Sequence, residues 1–451
     1  MVGVTLSRWT MSYFAVALVS LLTAECLMAS GYGFPGAPIA APQTLVVVHV
    51  VAIGWLSLLL CGALFQFVPV LVAKPLYSNS LPLPTLVLLC AGLLALLCGF
   101  LQFGGTIEFE VSLLPVGAAL LLLGFAFALW NLGRTLWDAR PLGLSARFVI
   151  VGLTSLVAAA GLGIVFAFVL GGTTAETRLT ALTAEGLPLH VIAGLGGWLT
   201  VSAMGVSYRL LAMFMLAPER EGAGTRGALH MATAAMTVAI VGGVIAICNA
   251  VSLGTVLIAA GLLGLGALTL YGRDMLYLYR ARKRRLIELN SRMAGVALAN
   301  LAAGVILAII FVATGTLQRH LGALVFLFAF GWLSGLGLAQ LYKIVAFLTW
   351  LECYGPVLGK TQTPRVQDLV IETRASKWFV LYFVAVWTGT VVLLTGPAWA
   401  FQATAGIMLI ATAGIVAQIV RTRRLADVAN TLRLPQGAHR PRLLLSLSPQ
   451  T

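Results

Sequence analysis

Twelve uninterrupted apolar runs, each long enough to cross a bilayer, constrain this chain more than any other feature. They fall at 9–31, 44–73, 82–104, 111–134, 146–171, 187–216, 227–250, 253–278, 293–317, 319–350, 376–397 and 399–421. A hydrocarbon core of about 30 Å takes about 20 helical residues. A barrel strand would be an alternating segment of about ten residues, so continuous runs of this length specify helices. Of the 451 residues 60% are hydrophobic and 9% charged, against about 25% charged in a soluble domain, so lipid must solvate most of the surface. The expected fold class is therefore all-α, a polytopic membrane bundle of about 12 transmembrane helices. The first run is too long for a signal peptide and lacks a convincing cleavage site, so it reads as the first span of an unprocessed chain. A single transmembrane domain is expected over 1–421, followed by a basic cytoplasmic tail, 422–451. That tail, with Pro435, Pro441 and Pro449 among its arginines, reads as flexible. The polar loop near 351–375 reads as too short for a core of its own.

The charges give an orientation. With the N-terminus inside, all of the 28 Lys and Arg except Arg178 and Arg319 fall on the cytoplasmic side, as the positive-inside rule requires. This places the chain in the inner, cytoplasmic membrane with both termini in the cytoplasm. The densest basic runs, Arg280 with Arg282 to Arg285 and Arg421 with Arg423 and Arg424, follow the eighth and twelfth spans, where anionic headgroups would hold them. The net charge of +14 is thus a lipid-facing feature, and no nucleic-acid partner is expected. Cysteines 26, 61, 90, 98, 248 and 353 lie in or beside spans without a Cys-x-x-Cys pair, and read as small apolar packing residues.

An internal repeat runs through the second, sixth and tenth spans. The strings are GWLSLLLCGALF at 54–65, GWLTVSAMGVSY at 197–208 and GWLSGLGLAQLY at 331–342. Each places a small residue seven positions after the Trp (Gly62, Gly205, Ala339) and an aromatic ten after it (Phe65, Tyr208, Tyr342). Trp55, Trp198 and Trp332 are 143 and 134 residues apart, four helices each time, which predicts three four-helix arcs in a pseudo-threefold arrangement. Small residues at that spacing permit close helix packing.

Three of the five histidines precede the repeated Trp: His49 by six residues, His190 by eight and His320 by twelve. All three fall in the first turns of their spans, near the periplasmic face. Imidazole at the edge of hydrocarbon is expensive to leave unpaired, so the readings are a ligand for a cofactor, metal or proton, or a capping and interfacial group. Arg319 beside His320 favours the interfacial reading there. His230 begins the seventh span at the opposite end and His439 sits in the tail, so neither shares that site. At about 100° per residue, His190 and His320 point within roughly 40° of each other relative to their Trp, and His49 points elsewhere. Glu25, inside the first span, is either a buried group with a proton role or a side chain reaching the interface. Arg209 and Lys343, each eleven after a repeated Trp, are expected to snorkel. Met204, Met213 and Met215 read as core packing, with copper ligation the other possibility. The loop from Glu352 to Pro356, with Asp368, Glu372 and Arg374, is polar enough to dock a partner.

The stretch from His49 through Gly54, Trp55, Gly62, Phe65 and Pro69 to Lys74, Pro75, Leu76, Tyr77 and Ser78 resembles the ligand-bearing helices of the haem-copper oxidase catalytic subunit, especially its cbb-type branch and the nitric-oxide-responsive relatives. That resemblance implies twelve helices in three arcs and gives His49 the register of a low-spin haem axial ligand. His190, on the sixth span, has the register of the first His of the family's His-x-His, whose own positions on the tenth span are Leu324 and Phe326. The seventh span has no pair of copper-binding histidines. The chain therefore lacks the ligands for a normal binuclear centre, and any enzymatic activity would be an oxidoreductase other than the family's oxygen reduction. What the resemblance implies is haem b, with copper possible, held by His49, His190 and His320 for electron transfer, haem handling or response to nitric oxide or oxygen. A redox partner or another membrane subunit would complete it. The histidines alone leave haem, copper and zinc open. A proton-coupled transporter or channel, or a cofactor-free assembly subunit, are the readings from other classes.

Overall fold

Helices form where the apolar runs are, and they stop where the chain supplies a proline, a glycine or a polar turn. The computed structural model describes residues 8–445; the segment beyond, including Pro449, lies outside the described residues. Twelve helices are long and apolar enough to span a membrane: α1 (Thr10–Ala29), α2 (Pro42–Val72), α3 (Pro82–Phe103), α4 (Leu113–Trp137), α5 (Leu144–Leu170), α6 (Leu187–Met215), α7 (Ala223–Cys248), α8 (Gly254–Arg280), α9 (Leu289–Ala313), α10 (Leu317–Val357), α11 (Glu372–Thr395) and α12 (Ala398–Arg423). No strand occurs among the described residues. The fold is thus all-α and polytopic, as its apolar runs require. Pro42 and Pro82 open α2 and α3, where a missing N–H costs nothing. Gly105 closes α3 with φ +69°; its N–H and that of Thr106 bond back to Gln102 and Leu101, satisfying end carbonyls that lipid could not. A short helix, Thr177–Glu185, sits between α5 and α6 and is capped by the Glu176 carboxylate on the Leu179 N–H. It is too polar to have registered as a span.

Contacts divide the chain into two compact units, residues 1–66 with 287–451, and residues 67–286. In the first unit α1 packs on the N-terminal part of α2 and on α12, α12 on α11, and α9 on α10. In the second, α3 pairs with α4, α5 with α4 and α6, and α7 with α8. The small residue seven after the Trp does what its size predicts. A Cβ on Gly62 would stand 2.5 Å from the Tyr13 Cβ of α1, and one on Gly205 would stand 2.7 Å from the Phe148 Cβ of α5. Ala339 is fully buried. Each unit therefore brings a neighbouring helix close to a Gly-Trp-Leu helix at the same register.

The repeat also has a backbone signature. Each Gly-Trp-Leu lies in a π-helical stretch: Val50–Ser57 in α2, Ile192–Val201 in α6 and Leu327–Ser334 in α10. Such widened turns are rare, and within a membrane their carbonyls must find partners inside the protein. In α10 they do. Ala329 O accepts from Ser334 Oγ at 2.7 Å, Phe330 O from Tyr382 Oη at 2.9 Å and Gly331 O from Asn300 Nδ2 at 3.0 Å. In α2, Ser57 Oγ donates to Ala52 O at 2.7 Å. A hydroxyl two residues after the Trp recurs in all three helices, as Ser57, Thr200 and Ser334. Because a π stretch separates each histidine from its Trp, each residue there turns the chain by less than about 100°. The rotational offsets expected from regular helices do not apply.

The tail and the 351–375 loop differ from expectation. Leu425 and Val428 of the tail bury against Cys353, Tyr354 and Leu369, with Trp350 and Leu432 packed alongside. Tyr354 Oη donates to Arg433 O at 2.7 Å, and Ser12 Oγ to Leu444 O at 2.6 Å. Two short polar segments lack a core separately, but three apolar residues spaced along the basic tail make one jointly with the end of α10.

Candidate functional site

His49 is half-buried on α2, immediately before its π stretch. Its Nδ1 lies 2.8 Å from Leu45 O, one turn earlier. His190 is half-buried on α6, two residues before the next π stretch, and its Nδ1 lies 3.0 Å from Ala159 O of α5. The ring packs against Phe166, centroids 5.5 Å apart, over Gly163, where a Cβ would come within 3.2 Å of Cε1. A carbonyl oxygen only accepts, so in both residues Nδ1 carries a proton. That is how protein-bound metals and haem irons take imidazole, with a backbone acceptor orienting the ring.

His320 has a different setting. It is half-buried beside the exposed Arg319 and stacks on Phe311 of α9, centroids 4.6 Å apart. It stands seven residues before the π stretch of α10. His49 and His320 belong to the first unit and His190 to the second. Among the described residues, no group of three or more His, Cys, Asp or Glu is arranged to hold a metal ion.

Trp55 and Trp332 are fully buried and Trp198 is 2% exposed. Trp55 Nε1 donates to Ser334 Oγ at 2.8 Å, which joins the π stretches of α2 and α10 across one hydrogen bond. Gly337 lies against the same helix, where a Cβ would stand 2.7 Å from Leu59 Cδ2. Glu25 does not reach an interface. It is fully buried on α1 and its Oε1 accepts from Thr412 Oγ1 of α12 at 2.8 Å.

Several charged groups take positions that the sequence reading missed or misassigned. Lys343 pairs with Glu288 at 2.7 Å, both mostly buried, and Arg209 pairs with Glu219; neither cation snorkels alone. Glu352, expected on a docking surface, is a 2% exposed partner of the 3% exposed Arg423 at 2.6 Å. Asp274 of α8 is fully buried and accepts from Tyr208 Oη at 3.1 Å, Thr225 Oγ1 at 2.8 Å and Arg220 Nε at 3.2 Å. A carboxylate in the last turns of an apolar run was the available signal for it. Asp427, just past α12, binds Arg374 at 3.1 Å and Arg421 at 2.5 Å. Burial pushes its carboxyl up, but the hydrogen bonds and charges of the two guanidiniums outweigh this and hold it below the usual carboxylate range. Met204 and Met215 are core residues and Met213 faces outward. Cys61 and Cys353 are buried, while Cys26 and Cys248 are exposed rather than packed. His230 is exposed on an open groove of about 610 Å³ beside Arg147, and His439 is exposed in the tail. No family model and no curated protein matches this chain.

Proposed function

We propose that this integral multi-pass membrane protein binds haem b through His49, with a second of the candidate histidines as the other axial ligand, and serves electron transfer, haem handling or response to nitric oxide or oxygen. One observation carries the reading: the Nδ1 of His49 is bonded to a backbone carbonyl, the arrangement in which a backbone acceptor orients an imidazole that ligates iron through its other nitrogen. His190 has the same arrangement. A low-spin haem takes two imidazoles. Bound there, a haem would supply one-electron exchange, and backbone carbonyls such as Leu45 O would orient the imidazoles. The inner membrane, with both termini in the cytoplasm, is the location proposed from the charge asymmetry.

The test is an absorption spectrum of protein purified after expression with haem supplied. A Soret band that sharpens and gains an α-band on reduction is expected, with His49→Ala losing it and an Ala at His439 keeping it. A wild-type protein without haem absorption under those conditions defeats the proposal. Metal analysis of that same sample then reports whether copper or zinc is held instead.

A further inference from the structure

Glu25 is the most confined acid in the first unit. It is fully buried, its Oε1 takes one hydrogen bond from Thr412, and its Oε2 is buried without a hydrogen-bond partner. No cation offsets it. α1 packs on α2 and α12; α1 and α2 contain no Lys or Arg, and α12 contains none before Arg421, which is nine residues or about 13 Å past Thr412. The other ionisable side chains on α1 and α2 are Tyr13, three turns away, the exposed thiol of the adjacent Cys26, the buried thiol of Cys61, and His49, whose Nδ1 is bonded to Leu45. From α11, the Tyr382 phenol lies within electrostatic reach of the carboxyl and beside the Ser334 hydroxyl. Tyr382 donates to Phe330 O, and Ser334 receives Trp55 Nε1. A full charge in this setting would have a single hydroxyl to solvate it, which is far short of what a carboxylate needs in hydrocarbon.

We propose that Glu25 is a proton-binding site embedded in the membrane, a carboxylic acid with its proton on Oε2, and that its ionisation is felt through Tyr382 and Ser334 at the π stretches of α10 and α2. On ionisation the O–H bond breaks, its electron pair stays on the carboxylate and the proton passes to water. The new negative charge then acts through space on the Tyr382 hydroxyl, whose hydrogen bond to Phe330 O satisfies the widened turn. The Trp55 to Ser334 hydrogen bond links that turn to α2, the helix that carries His49. The proposal does not depend on haem, since every group in it belongs to the chain.

Infrared spectroscopy of the purified protein in lipid nanodiscs at neutral pH tests it directly. The carbonyl stretch of a protonated carboxylic acid is expected in the wild type, lost in Glu25→Gln and moved to higher frequency in Thr412→Val, which removes the hydrogen bond to Oε1. Glu25→Gln should melt with the wild type, because a neutral isostere replaces a neutral acid. A wild type without the band, or a band unchanged in both variants, overturns the site. Raising the pH until the band disappears, followed by tryptophan resonance Raman against Trp55→Phe, tests the coupling. The Trp55 hydrogen-bond signal should change with the carboxyl band in the wild type and stay constant in Glu25→Gln; a constant signal in both overturns the coupling.

Discussion

At the scale of single residues, the two guanidiniums on Asp427 make the clearest quantitative case. Its folded value lies below the ordinary one near 3.9, so the folded state binds fewer protons than the unfolded state across that interval. The stabilisation is complete above the ordinary aspartate range and is lost as pH falls through the folded value. Asp427→Asn should therefore lower stability at neutral pH by about 1 kcal/mol, since Arg374 and Arg421 are each 40% or more exposed and solvent screens them. The deficit should shrink as pH is lowered below about 4, read as thermal midpoints of the two proteins in detergent across pH 3 to 7. A deficit independent of pH would assign the residue a packing role. The pairing was not visible in sequence, because Arg374 and Asp427 stand 53 positions apart. The histidines divide in the same way. Their place near the start of a span was readable in the sequence, but the Nδ1 proton of His190 is held by Ala159 O, a backbone atom of another helix.

At the scale of elements, the repeat predicted close packing at Gly62, Gly205 and Ala339, and the helices meet there. Gly205 has the Phe148 Cβ and the Ser145 carbonyl within 2.8 Å of where its own Cβ would be, so neither a rotamer change nor a side-chain shift alone makes room. Gly205→Ala should destabilise by about 1–3 kcal/mol through forced helix displacement. Gly161, in the middle of α5 with nothing within 4 Å of its absent Cβ, is the internal contrast; Gly161→Ala should stabilise by about 0.5–1 kcal/mol through helix propensity. Unfolding of the two variants in the same detergent measures both. Equal effects would remove the small residue from any packing role. The π stretches were illegible beforehand. Gly-Trp-Leu has no intrinsic preference for a widened turn, and what sustains one in α10 is a set of donors from α9 and α11, Asn300 and Tyr382.

At the scale of the whole molecule, the distribution of Lys and Arg predicts the orientation, and a cysteine replacing Arg282 after α8 should be labelled by a membrane-impermeant reagent only after the cytoplasmic side is opened. Efficient labelling of intact cells would reverse the topology and move His49, His190 and His320 to the cytoplasmic face. Twelve apolar spans and their order were determined by the sequence alone, with limits within a few residues except at the end of α10, which runs to Val357 rather than 350, because insertion into lipid is decided by local apolarity over about 20 residues and needs no knowledge of distant contacts. The burial of Glu25, Asp274 and the Glu352 to Arg423 pair, the packing of the tail on the end of α10 and the widened turns at each Trp were decided only by tertiary structure. A polar group in hydrocarbon is tolerable only beside a specific partner, and that partner is set by which helices pack together.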